Sequence, residues 1–202
     1  MLTFIILALA GCQTRKLPMI GEPEEITQTV NGEEVTELQY PVIPDFSFVN
    51  EDSQVVTQEH FKGKIYVADF FFTTCPTICP VMKKNMLQVY ERFRDNPDVR
   101  ILSHTIDPEH DTPAVLSEYA QDLGVKGGMW TFVTGDREKI YDIAQKHYLV
   151  SASQDPDQPG GYIHGGSFVL VDKDKHVRGM YDGTSETSTA QLIKDIRVLL
   201  KE

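Results

Sequence analysis

Two cysteines stand four residues apart in the segment Phe72-Thr-Thr-Cys75-Pro-Thr-Ile-Cys79-Pro80. If both lay on one helix they would share a face, with Cβ atoms roughly 5–6 Å apart. Two thiolates at that spacing can hold one soft metal ion. With a small adjustment the pair can also close a disulfide, whose Cβ atoms sit about 3.5–4.5 Å apart. Metal binding and thiol redox chemistry are therefore the two activities to separate, with Cys75 and Cys79 as ligands in one and as a redox-active pair in the other.

The elements around the pair suggest how it is held. Ile65 to Phe72 is a dense β-branched and aromatic run, read as a central buried strand. A helix follows from about Pro80 to Arg94, with Met82, Met86, Val89 or Tyr90, and Phe93 at helical spacing. That spacing makes Met82 and Met86 core residues rather than thioether ligands. Pro76 suits the first position of a helical turn, which would make Cys75 its cap. Pro80 opposes this, because its ring would clash with the carbonyl four residues back. Either the first turn is distorted, or the helix starts at Pro80 with Cys79 as cap. Both arrangements bring backbone N–H groups and the positive helix end to sulfur, which favours thiolate.

Upstream, Glu25 to Tyr40 alternates around Asn31-Gly32 and reads as a β-hairpin. Asp45–Val49 and Gln54–Thr57 are short strands. Downstream come a strand at Val99–Ile106, a helix opened by Thr112-Pro113 and ending near Gly124, and a strand at Trp130–Val133. A helix capped by Asp136 follows to about Tyr148. A hairpin of Ser167–Val171 with His176–Tyr181 precedes a last helix over Ser188–Leu200. Strand–helix alternation closed by a hairpin and helix is the order of a thioredoxin-like α/β sandwich, here with an N-terminal β-hairpin extension. The cysteines then lie at the carboxyl edge of the sheet, where open α/β sheets bind ligands.

Two sulfurs rarely complete a metal site. Of the six histidines, His60, His110, His147 and His176 lie in loop or polar surroundings and read as solvated. His104, inside a strand, reads as structural. His164 sits in Gly160-Gly-Tyr-Ile-His164-Gly-Gly166, where glycine lets the backbone approach another element closely. In the thioredoxin-like layout this loop faces the start of the cysteine helix. Two thiolates and one imidazole suit Cu(I) and tolerate Cu(II). Structural zinc wants a fourth protein ligand, and iron–sulfur clusters normally want four thiolates. Copper is the best fit by elimination. Asp69 is six residues before Cys75 in the central strand. It reads equally as a buried acid with raised pKa, like that of thioredoxins, and as a surface aspartate.

The third cysteine has a different setting. The chain opens MLTFIILALAGC, an apolar run too short for a bilayer, which needs about 20 residues. It suits the core of an export signal, although no basic residue precedes it. Leu9-Ala-Gly-Cys12 resembles a bacterial lipobox. That resemblance implies a signal over residues 1–11, cleavage before Cys12, lipid on Cys12 and a membrane-anchored domain in the cell envelope, outside the cytoplasm. Residues 12–24 then read as a tether and 25–202 as the thioredoxin-like domain. Outside the cytoplasm thiols tend to oxidise. A formal net charge of −11 opposes nucleic-acid binding, which needs basic patches.

Four segments, in order, carry a family resemblance over roughly Ile43 to Leu200. FTTCPTICP resembles the Cys-Pro-x-x-x-Cys-Pro core of the Sco/SenC copper proteins. Thr105-Ile-Asp107-Pro-Glu-His-Asp111-Thr-Pro113 resembles that family's Val-Asp-Pro-Glu-Arg-Asp-Thr-Pro segment, with His110 in place of arginine. Trp130-Thr-Phe-Val-Thr-Gly135 resembles its Trp-x-x-Leu-Thr-Gly segment. His164, eight residues before Asp172, corresponds to its ligand histidine, flanked here by Ile163 and Gly165. The resemblance implies a thioredoxin-like fold, copper on Cys75, Cys79 and His164, and a role in assembling the copper centre (CuA) of cytochrome c oxidase. The oxidase's copper-centre subunit, or another copper or thiol partner, would receive the metal.

Two classes of function remain distinct at this point. One is a copper metallochaperone. The other is a thiol–disulfide oxidoreductase that reduces partner cysteines, for which an easily reduced disulfide would serve. The three-residue spacer and the lack of proline from Gly160 to Asp172 favour the first. A peroxiredoxin-like peroxidase would want threonine three residues before its reactive cysteine, where Phe72 stands. A copper or redox sensor is a further alternative.

Overall fold

The computed structural model describes residues 16–125 and 128–202. The expected signal and Cys12 lie outside the described residues. At the core is a seven-stranded sheet ordered β11-β10-β5-β6-β7-β3-β4. Its strands are β3 (Ser47–Asn50), β4 (Val55–Thr57), β5 (Ile65–Phe71), β6 (Val99–Thr105), β7 (Trp130–Thr134), β10 (Ser167–Val171) and β11 (Val177–Asp182). β5, β6 and β7 run parallel, with Phe71 beside Thr105 and Ile101 beside Trp130. β10 and β3 flank them antiparallel. Every residue of β5 is buried, as a run that is apolar but for Asp69 requires of a strand covered on both faces.

Aromatic contacts fix the two layers. On one face Phe71 stacks on Tyr119 of helix α2 (Pro113–Asp122), and Trp130 meets Tyr90 of helix α1 (Cys79–Phe93). On the other, Phe70 packs on His104 and Tyr148, and Tyr66 on Phe61. Tyr148 follows a π-helical turn, Ile143–His147, that extends α3 (Arg137–Asp142). Helix α4 (Glu186–Leu199) closes the chain. The expected caps form: Thr112 Oγ1 accepts from Val115 N–H, and Asp136 from Lys139 N–H.

The N-terminal hairpin pairs β1 (Glu24–Val30) with β2 (Glu33–Gln39). Asn31 and Gly32 both have positive φ, 54° and 86°, as a tight two-residue turn demands. All of β2 is exposed. The described part of the expected tether lies on the domain. Leu17 is buried, its N–H donates to Glu202 Oε1 at 3.0 Å, and Ile20 N–H donates to Val177 O at 2.8 Å. Arg178 binds that segment through the carbonyls of Leu17 and Pro18, while pairing with Asp172 and Glu202, each at 2.7 Å. These contacts sit at the end of the sheet opposite the C-terminal edge of β5, because β10 runs antiparallel to β5 and pairs Val171 with Tyr66.

Candidate metal centre

The cysteines occupy the crossover from β5 to α1. The helix begins at Cys79, with Ile78 at the cap and Pro80 in the first turn, where no backbone N–H is needed. Cys75 lies before it in an irregular loop. The expectation that Cys75 caps the helix, or that the pair shares a helical face, is therefore corrected. The arrangement with the helix starting at the second cysteine holds to within one residue. The physical reason is Pro80: in a helix begun at Pro76 its ring would strike the Pro76 carbonyl. Instead the chain turns at Phe72–Cys75, where Cys75 N–H donates to Phe72 O at 3.2 Å, and the loop folds Cys75 back over the helix start.

Burial and local donors make the two thiols unequal. Burial pushes Cys75 up, but hydrogen bonds with the Cys79 side chain and from the backbone N–H groups of Thr77 and Cys79 outweigh it. The group sits below its ordinary value, as expected for sulfur at a helix N-terminus. The Thr77 hydroxyl, 3.6 Å from Cys75 Sγ, adds to this. Burial raises Cys79 strongly, reinforced by the proton it shares with Cys75 and by negative charge on Cys75 and Asp69. Of the two thiols, Cys75 is the readier thiolate.

His164 arrives on a small hairpin of its own, β8 (Ala152–Gln154) with β9 (Tyr162–His164), which the sequence did not reveal. Its Nε2 lies 3.3 Å from Cys79 Sγ and 3.7 Å from Cys75 Sγ. The hairpin can come this close because of Gly160. Its φ is +87°, and a Cβ there would stand 2.8 Å from the Phe72 ring and 3.2 Å from Pro76. Phe72 then packs on Tyr162 at 5.1 Å and on His164 at 5.7 Å. Burial holds the His164 imidazole below its ordinary pKa, so it is neutral and able to donate a lone pair. Its Nδ1 is buried with no hydrogen-bond partner.

Ligand atoms of Cys75, Cys79 and His164 all lie within 4.8 Å of one another, and this is the one such cluster of three among the described residues. An ion about 2.0–2.3 Å from each donor leaves any two donors no more than ~4.5 Å apart. The sulfur–nitrogen separations of 3.3 and 3.7 Å meet that limit. Two buried sulfurs and one neutral imidazole form a soft donor set, so the residues fit a copper ion. The other histidines stay outside. His104 is fully buried among Phe46, Phe48, Phe70 and Tyr148, the structural role expected of it. His60 bonds Thr57, His176 bonds the Pro41 carbonyl and His110 bonds Asp111. Met82 and Met86 are core residues. Asp69 is buried, accepts from Ser103 and lines one narrow pocket with Cys79, which decides between its two readings.

The family model for SCO1/SenC matches residues 34–201. The chain is 36% identical over 162 residues to a SCO1 protein homolog of Bacillus subtilis, covering 79% of this chain and 83% of that one. The solved structure of BsSco is described as a member of the Sco family of cytochrome c oxidase assembly proteins with a disulfide switch. It superposes with a TM-score of 0.69 at 33% identity, covering 78% of this chain and 92% of the other. Arabidopsis thaliana ScoI, solved with copper bound, gives a TM-score of 0.64 at 25% identity over 78% and 99% of the two chains.

Proposed function

The chain belongs to the SCO1/SenC family, and from that premise we propose that it carries one copper ion on Cys75, Cys79 and His164 and helps assemble the copper centre of cytochrome c oxidase. The observation that carries this reading is the convergence of two sulfurs and one neutral imidazole from distant segments. The copper in Arabidopsis ScoI and the oxidase-assembly role given for BsSco support it. Copper is cargo here, taken up and passed on. Binding needs both sulfurs as thiolates and must displace the proton that burial keeps on Cys79, so affinity rises with pH. The test is copper titration of the reduced protein beside His164→Ala. Removing the imidazole is expected to weaken Cu(II) far more than Cu(I), because two thiolates alone retain Cu(I). Identical stoichiometry and absorption in the two proteins would refute the ligand set.

A second reading, thiol–disulfide exchange with partner cysteines, is favoured by the inequality of the thiols. Cys75 is poised to attack while Cys79 keeps its proton. The disulfide switch described for BsSco supports this use of the pair.

We also propose that Cys12 is lipidated after cleavage of residues 1–11 and anchors the domain to a membrane of the cell envelope. Support comes from the lipobox-like sequence. Among the described residues no helix is long and apolar enough to cross a membrane. Leu17, five residues on, is fixed at the sheet end away from the sulfurs, which would leave the metal centre pointing off the bilayer. Cys12→Ser is expected to release the protein from washed membranes; a variant that stays bound would exclude this anchor.

A further inference from the structure

Asp111 is fully buried, yet it lies on the short connection between β6 and α2, just before the Thr112 cap. Four donors converge on its carboxylate. Thr73 supplies two, its backbone N–H at 3.0 Å and its hydroxyl. Thr105, the last residue of β6, supplies a hydroxyl, and His110 Nδ1 lies at 2.9 Å. Thr73 is the second residue of the Phe72–Cys75 turn, and among the described residues no other side chain bonds its backbone N–H. Neither the copper reading nor the thiol reading uses Asp111.

We propose that Asp111 is a positioning residue for the metal centre: by holding Thr73 it fixes the turn that delivers Cys75, and so sets where Cys75 Sγ stands relative to Cys79 and His164. The physical case is one of anchoring. The loop from Phe72 to Ile78 has no regular structure of its own, and Thr74, Pro76 and Thr77 are exposed. Such a segment keeps a fixed sulfur only if something rigid grips it. On the far side Cys79 is held by α1. On the near side the grip is Asp111, itself held by its own backbone, whose N–H donates to the Asp107 carbonyl at 2.8 Å, and by the Thr112-capped start of α2 that follows it. Two hydrogen bonds from one residue to one buried carboxyl group, one of them from the backbone, select one turn conformation from several. His110, exposed on the outer side, lies against the same carboxyl group and also touches the Thr73 hydroxyl at 3.4 Å. The consequence for copper rests on the proposed function; the consequence for Cys75 itself does not.

Two valine substitutions separate positioning from stability. Thr73→Val and Thr105→Val each remove one hydroxyl from the same carboxylate, but only the first loosens the cysteine turn. Thr105→Val is at least as costly to the fold, since the Thr105 hydroxyl also accepts from Asp107 N–H. In metal-free reduced protein, the alkylation rate of Cys75 at fixed pH is expected to change in Thr73→Val and not in Thr105→Val, with Thr73→Ser restoring it. Copper affinity should fall roughly tenfold in Thr73→Val alone, the low end for loss of a group that orients a ligand. Equal changes in both valine variants, or none in Thr73→Val, would overturn the proposal. If copper does not bind the wild type, the alkylation comparison still decides it. If Thr73→Val does not fold, amide exchange in the wild type decides: Thr73 N–H must be protected relative to exposed Thr74, and equal exchange overturns the proposal.

Discussion

Cys79→Ser is expected to reduce copper affinity by more than about 100-fold, beyond the range for losing a group that merely orients a ligand. Cys79 Sγ is the donor nearest His164 Nε2, at 3.3 Å, and it is buried beside the start of α1. A serine hydroxyl there is a hard, neutral donor that does not replace thiolate for a soft ion. The fold should tolerate the change, since serine is no larger than cysteine. Competition against a chelator of known copper affinity measures the loss; a change below tenfold would place the metal elsewhere. The same variant separates the two readings. In thiol exchange, Cys75 thiolate attacks a partner disulfide, one partner sulfur leaves as thiolate, and a mixed disulfide forms. Cys79 then attacks Cys75 sulfur, which frees the second partner thiol and closes the internal disulfide. Without Cys79 the mixed disulfide cannot resolve. An oxidoreductase is expected to accumulate that adduct on a non-reducing gel, whereas a copper carrier alone would show none.

What could be read from residues, and what could not, divides along physical lines. β5, α1 and the closing hairpin and helix were legible because each is a local pattern: a β-branched and aromatic run, a helical stripe, an alternating pair around a turn. His164 was legible through its glycines, the loop's place in the layout and the family resemblance, and Gly160 is the glycine that allows close approach, over Phe72. β8 and β9 were not legible. Each has three residues, with no apolar alternation, and they exist because Tyr162 and His164 of β9 pack on Phe72. The start of α1 was ambiguous because Pro76 and Pro80 each satisfy a helix-opening rule, and only the clash rule excludes one of them. Asp111 gave no signal of its own. A buried carboxylate fed by Thr73, thirty-eight residues earlier, is a tertiary contact that no local pattern encodes. The same holds for Arg178, whose partners come from both ends of the described chain.

Asp69→Asn is expected to stabilise the protein by about 4 kcal/mol at pH 8 and to leave it unchanged near pH 4. Burial raises the Asp69 carboxyl to about 7, partly countered by the hydrogen bond from Ser103, from an ordinary value of 3.8. The folded state therefore holds a proton that the unfolded state has lost. Its contribution is full below about pH 3.8 and gone above about pH 7, and the gap of some three pH units is worth about 4 kcal/mol. His104 acts in the opposite sense. Burial drives it down to about 3 from 6.5, so its contribution is full above pH 6.5 and lost as pH falls towards 3. The two buried groups nearly offset each other between pH 4 and 6.5, and wild-type stability should be almost flat across that window. Asparagine at 69 removes one side of the balance and exposes the rise due to His104. Urea unfolding of both proteins at pH 4, 6 and 8 measures this; equal stability at pH 8 would contradict it. The stabilisation should carry a chemical consequence. Asp69 shares a pocket with Cys79, and its negative charge helps keep that thiol protonated. With asparagine in place, Cys79 should ionise at lower pH, and copper affinity should lose part of its dependence on pH. A buried acid that weakens the fold at neutral pH is then accounted for by the proton it keeps on the second sulfur until metal or a disulfide displaces it.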